Sequence, residues 1–265
     1  MARSSFARIL IRGGGEMGSG VAWRLSRCGF AVVIAETERP TAIRRWVSFS
    51  EAIYDGEKTV EGITAVHCEG SVDRALADGA IPVVICPDVE DLGQFAPDVI
   101  VDAILAKRNT GVRKGLAARV IGLGPGFVAG IDVDCVIETN RGPDLGRVLW
   151  KGPTQANTGI PGLLGGETVK RVLRAPASGT VESARRIGDR VGIGDVIARV
   201  ADLSIHSELN GIVRGLIRDG TQVIAGMKIG DIDPRGDVEV CRRISDKALA
   251  IAGGVVEAIL SKPLG

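Results

Sequence analysis

Phe6 to Glu36 reads FARILIRGGGEMGSGVAWRLSRCGFAVVIAE, and this stretch decides the fold. Phe6–Arg12 is a short apolar run, β-branched at its centre, that ends in glycines, the pattern of a buried strand. Val21, Ala22, Leu25 and Cys28 then recur at helical spacing until Gly29 stops the helix. AVVIAE is a second buried strand ending on Glu36, eighteen residues after Gly18. Strand, G-x-G-x-x-G, helix, strand and acid follow one another in the order of a dinucleotide-binding βαβ unit. In that geometry Gly13 permits the tight turn, Gly15 lets backbone approach a pyrophosphate, and Gly18 lets helix pack on strand. The helix N-terminus would offer N–H groups to the phosphates, and Glu36 would take a ribose 2′-OH, favouring NAD over NADP. The same stretch also reads as a glycine-rich turn that binds nothing. Glu16 sits where phosphates would lie, and Arg12 is charged at a strand end where a small residue is usual. Arg12 has two readings, an ion pair with Glu16 or a contact to an anionic ligand.

Downstream, TAIRRWVSFSEAIYDG reads as a helical stretch, TVEGITAVHCEG as a strand or hairpin, and SVDRALADG as a helix capped by Ser71 and stopped at Gly79. IPVVICPD and APDVIVDAILAKRNTG add buried strands, so the alternation argues for a parallel sheet. Such sheets bind ligands at the carboxyl ends of their strands. Lys107, Arg108 and Asn109 follow Asp102 there and would bring cations and an amide to a ligand; a solvated loop is the alternative. A second glycine loop, Gly122–Gly126, contains Pro125, which suits a shaped turn better than a phosphate cradle. Asp132, Asp134, Glu138, Asn140 and Arg141 cluster in sequence without metal-ligand spacing, so no metal is expected.

From residue 172 the chain repeats itself at an offset of 32: Gly179 matches Gly211, Val181 Val213, Gly188 Gly220, Val191 Val223, Gly194 Gly226 and Ile197 Ile229. Two similar β units are implied. APASGTV and GDRVGIGDVI resemble the halves of a biotinyl/lipoyl-type barrel-sandwich hybrid. The hairpin that would join the halves, Ala201–Leu209, has no lysine, so neither biotin nor lipoate is expected. His206 on that hairpin is read as incidental and Cys241 as structural. Ser245 or Asp246 would cap a final helix whose Gly253-Gly254 pair implies close packing. The expected architecture is therefore α/β: a Rossmann-like parallel-sheet domain over residues 1–165, a barrel-sandwich-hybrid-like β module over 172–232, and a C-terminal helical segment over 233–265 packing on the body.

Composition narrows the function. Thirty-three Lys and Arg against 32 Asp and Glu give a net charge of +1, which argues against a nucleic-acid footprint or a polybasic membrane anchor. Aromatics at 3% are too few for a stacking platform. Five dispersed cysteines without C-x-x-C indicate reduced thiols in a cytoplasm. No leader or membrane span is read from the sequence.

RPTAIRR, FSEAIYDGEKTVEGITA, VDAILAKRNTG, VIGLGPGFVAG, VIETNRGPDLGRV, NTGIPG, GDIDPRGD and ISDKALAIAGGVVEAIL together resemble the selenium-dependent molybdenum hydroxylase accessory family, also called the YqeB family. The motifs run in order along nearly the whole chain. The resemblance implies an accessory protein in the maturation or operation of such a hydroxylase, with the hydroxylase or its maturation machinery as partner. It does not imply a particular activity. That family typically carries Asp at the position of Glu16. A nucleotide-containing ligand, NAD or another, fits the βαβ reading; Gly13, Gly15, Gly18 and Glu36 would hold it, with Arg12, Lys107, Arg108 and Asn109 on a substrate. An NAD-dependent oxidoreductase of a small metabolite and a non-catalytic scaffold are the alternatives, and self-association is left open. With only His67 and His206, little general-base chemistry would run through histidine.

Overall fold

The computed structural model describes residues 7–264. Phe6, the start of the first strand in the sequence reading, lies outside the described residues, as do the residues before it that bear on a leader. The chain begins with β1 (Arg8–Arg12), α1 (Glu16–Arg27) and β2 (Ala31–Glu36). Next come α2 (Ala52–Asp55), β3 (Glu57–Val60), β4 (Ile63–His67), α3 (Val72–Ala77) and β5 (Ile81–Ile85). β6 (Val99–Asp102), β7 (Arg119–Leu123), β8 (Val128–Ala129), β9 (Cys135–Ile137), β10 (Val148–Leu149) and β11 (Gly152–Pro153) follow. Then come β12 (Val172–Arg174), β13 (Gly179–Ser183), β14 (Arg190–Val191), β15 (Val196–Val200) and β16 (Leu203–His206). β17 (Gly211–Leu216), β18 (Gln222–Val223), β19 (Lys228–Asp233), α4 (Glu239–Arg242) and α5 (Asp246–Leu260) complete the order.

These elements form two compact units, and neither is one continuous stretch. The first contains residues 1–40, 48–157 and 244–265; the second contains 41–47 and 158–243.

In the first unit, nine strands form one sheet in the order β10-β9-β7-β6-β1-β2-β5-β4-β3. β9, β7, β6, β1, β2, β5 and β4 run parallel, while β10 and β3 pair antiparallel at the two edges. The central strands are buried on both faces, as expected of near-continuous Val/Ile/Leu runs. Leu10, Val33, Ile100, Val120 and Val136 face one core with Phe127 and Val112. α1 and α5 pack against each other, and Ser245 caps α5 by accepting from the Ala248 N–H. Ser71 likewise caps α3.

The expectation of a Rossmann-like parallel-sheet domain is corrected. The sheet is mixed. No regular helix links β6 to β7 or β7 to β9, where a doubly wound fold would place one. Those connections, residues 103–118 and 124–134, are broken by glycine, proline and asparagine and lack a helical apolar stripe. The helical stretch expected before Gly56 is two 3-10 turns, Arg45–Val47 and Phe49–Glu51, and one turn of α2, divided between the two units.

In the second unit, β12-β19-β17-β14 and β16-β15-β13-β18 form two four-stranded sheets, with antiparallel pairing throughout. The biotinyl/lipoyl-like module is corrected too. The expected module was one contiguous stretch, but this body is threaded by residues 41–47. The Leu216 N–H donates to the Ile43 carbonyl at 2.9 Å, and Arg45 Nε donates to the Leu216 carbonyl at 2.8 Å. Arg44 is buried and donates Nη2 to the carbonyls of Val240 and Arg243. Trp46 joins the core that contains Cys241.

β19 places Asp231 and Asp233 two residues apart, hence on one face. Both are buried. Arg171 and Arg214 pair with Asp231, and Arg235 forks onto Asp233 at 2.9 and 2.7 Å. Burial pushes the Asp233 carboxyl up, but the Arg235 hydrogen bonds and charge, with Arg214, outweigh it and hold the group below its ordinary 3.8. A depressed carboxylate contributes stability above its unfolded value, and that stability is lost as pH falls through the folded value. The Asp233→Asn variant is therefore expected to be less stable than wild type at pH 7, with the gap closing below about pH 4. Urea midpoints at several pH values check this; a gap that stays constant down to pH 3 would refute it.

Candidate functional site

The carboxyl ends of β1, β6, β7 and β9 bring four loops to one edge of the first unit's sheet. Parallel α/β sheets bind ligands at this edge. The loop after β6, Ala103–Gly111, is wedged between the two glycine loops. Ile104 lies on Gly13, where a Cβ would meet its Cγ2 at 2.8 Å, and the Arg108 backbone lies on Gly126, where a Cβ would meet its N at 2.5 Å. Gly13 and Gly126 also have φ of +95° and +114°, values that disfavour any side chain. Gly18 has a different reason to be glycine: a Cβ would sit 1.9 Å from the Gly13 carbonyl oxygen. Gly15 differs from these three. Its φ is −68° and nothing lies within 4 Å of its Cβ position.

Two residues of the β6 loop, Leu105 and Lys107, hold left-handed backbone with φ of +55° and +62°. Non-glycine residues there are strained by roughly 1–2 kcal/mol each, and such strain concentrates at ligand clamps. Lys107 and Arg108 are exposed. Asn109 serves the loop itself: its Oδ1 accepts from the Gly111 N–H at 2.9 Å and its Nδ2 donates to the Val112 carbonyl at 2.8 Å. Because the Lys107 side chain is exposed, Lys107→Gly is expected to stabilise the unit by about 0.5–1 kcal/mol, the strain relieved less the entropy of glycine. A rise in the urea midpoint at unchanged m checks this.

Arg12 and Asp102 end adjacent strands in register. Arg12 Nη1 donates to Asp102 Oδ2 at 2.9 Å and to Thr110 Oγ1 at 2.7 Å. The ion pair read from the sequence between Arg12 and Glu16 is thus replaced by one with Asp102, a residue 90 positions away. Asp102 is 1% exposed. Burial pushes its carboxyl up, and Arg12 pulls it part of the way back.

Glu36 turns into the loop. Its Oε2 accepts from the Gly14 N–H at 2.8 Å and its Oε1 from the Thr37 N–H at 2.9 Å. Rossmann-type nucleotide binding is not supported at its acid: Glu36, meant for a ribose, holds the turn, while Gly13 and Gly18 serve the tight turn and the helix packing expected of them. Sequence reasoning missed Glu138 at the end of β9. It is buried, its Oε1 accepts from the Thr139 and Asn140 N–H groups, and its Oε2 accepts from the Gln155 N–H, each at 2.7 Å. Only its place in an acid-rich stretch hinted at it. Asp132 and Asp134 each accept a backbone N–H, from Val128 and Val120. Arg141 forks onto Asp246.

Among the described residues, no group of three His, Cys, Asp or Glu is placed to hold a metal ion. Burial raises the Cys86, Cys135 and Cys241 thiols, Cys135 to about 12, so none of these three is an activated nucleophile. No helix among the described residues is long and apolar enough to cross a membrane.

No family model matches the chain. It is similar to Uncharacterized protein YqeB of Escherichia coli (strain K12), 49% identical over 254 residues, 95% of this chain and 47% of the relative. The chain spans about half the length of this curated relative. The similarity supports the YqeB name in the family resemblance. Among solved structures, an aspartoacylase family protein from Mesorhizobium loti aligns at 15% identity and TM-score 0.29, over 87% of this chain and 86% of that one. A succinylglutamate desuccinylase/aspartoacylase from Rhodobacter sphaeroides aligns at 16% and 0.28, over 88% and 87%. The peptidyl tryptophan dihydroxylase QhpG aligns at 16% and 0.25, over 76% and 45%.

Proposed function

We propose that the chain is an accessory protein of a selenium-dependent molybdenum hydroxylase and that it works by holding an anionic ligand at the carboxyl edge of its large sheet. The observation that carries the site is the loop Ala103–Gly111. It is strained at Leu105 and Lys107, and its Lys107 and Arg108 supply two exposed cations. That loop is also one of the stretches, VDAILAKRNTG, on which the family resemblance rests. The likeness to YqeB over 95% of the chain supports the family name, and the accessory role is taken from the family resemblance.

Deleting the chain's gene in a host that makes such a hydroxylase tests the role. Hydroxylase activity should fall while the amount of hydroxylase polypeptide is unchanged, and wild-type chain should restore it where Arg108→Ala restores it only in part. Full activity without the chain would end this reading.

A further inference from the structure

The geometry points to Arg12 as the oxyanion-binding residue of this edge, with Asp102 as its positioning residue. This rests on reading the edge as a binding face and not on the hydroxylase role. A guanidinium has five N–H donors. The two on Nη1 are spent on Asp102 Oδ2 and Thr110 Oγ1. Among the described residues, Nε and Nη2 have no hydrogen-bond partner. Neither belongs to the donors sealed from solvent, although the side chain as a whole is only 12% exposed. Arg12 is therefore a cation fixed on one side, with an accessible edge on the other.

That edge has a definite chemistry. The Nε–H and the nearer Nη2–H point the same way and match two oxygens of one carboxylate, phosphate or sulfate group. Ordering costs little, because the rotamer is already held from both strands: Asp102 lies across the register, and its second oxygen accepts from the Ile104 N–H at 3.3 Å. Thr110 ties the same guanidinium to the end of the β6 loop. The ligand class is an oxyanion group presented side-on, and lysine could not reproduce the contact with its single point charge.

Inorganic phosphate and acetate, each titrated into the wild-type chain at constant ionic strength against chloride, test the assignment and separate the two anion chemistries. At least one should raise the melting temperature saturably. Arg12→Lys should weaken that binding by about ten-fold or more, while Arg113→Ala, at an exposed arginine paired with Glu90, should change it by less than about three-fold. Phenylglyoxal labelling of the wild-type chain with peptide mapping guards against a variant that fails to fold: Arg12 should label, and the binding anion should protect it. No saturable effect of either anion, protection at another arginine alone, or wild-type affinity in folded Arg12→Lys would each overturn the assignment. Binding that survives Arg12→Lys but is lost in Arg108→Ala would leave an anion-binding edge and remove only Arg12 from it. The hydroxylase assay stands apart from all of these outcomes.

Discussion

Arg119→Ala is expected to destabilise the first unit by about 3–5 kcal/mol, because four backbone carbonyls lose their charged donor together. Arg119 opens β7 and is 5% exposed. Its Nη1 donates to the carbonyls of Ala258, Ile259 and Lys262 at 2.9–3.1 Å, and its Nη2 donates to the Pro263 carbonyl at 2.7 Å. Ala258 and Ile259 lie in the last turn of α5, where no intrahelical N–H satisfies their carbonyls, and Lys262 and Pro263 follow just past it; a cation there also meets the negative end of the helix dipole. Alanine removes every one of these donors at once. The melting temperature should fall on the order of 10 °C. Hydrogen exchange should rise first in the last turn of α5. A loss below about 1 kcal/mol would show that the contacts contribute little net stability.

Glu138→Ala is expected to cost a similar amount, about 3–5 kcal/mol, because three backbone N–H groups lose a buried charged acceptor together. Glu138→Gln is the sharper comparison. Its carbonyl can still serve Thr139 and Asn140, but its NH2 would face the Gln155 N–H, donor against donor. A cost of about 1–3 kcal/mol follows. Urea unfolding of both variants checks the order, and a glutamine variant as stable as wild type would show that the carboxylate charge is not needed.

Local pattern was legible in the sequence where it has a local cause. β1, α1 and β2 follow from apolar runs and a glycine stop. The offset of 32 reappears as β13 and β17, β14 and β18, and β15 and β19, whose starts are each 32 residues apart. Ser71 and Ser245 cap helices as their positions suggest. What was missed has non-local causes. Gly13 makes the expected turn, but its match to Ile104, 91 residues later, is something spacing cannot show. Arg12 finds Asp102 only because β1 and β6 are neighbours. Residues 41–47 were read as part of one helix because nothing local marks them as belonging with strands more than a hundred residues downstream. Glu138 looked like one acid among several, since an acceptor of backbone N–H groups needs no sequence motif.

The interleaved units also constrain how the chain is made. Residues 41–47 leave the ribosome early, but the body they belong to needs residues 158–243. At about 5–20 residues per second, they wait on the order of 10 s for the first of their partners. The first unit waits as well, since it needs α5, which starts more than a hundred residues after β9. Neither body can close before its late segments emerge, so folding is deferred until residues 158–260 have been made. A nascent chain halted after residue 157 would expose the apolar faces meant for α5 and hold residues 41–47 without their partners, a species suited to chaperone capture rather than to vectorial folding.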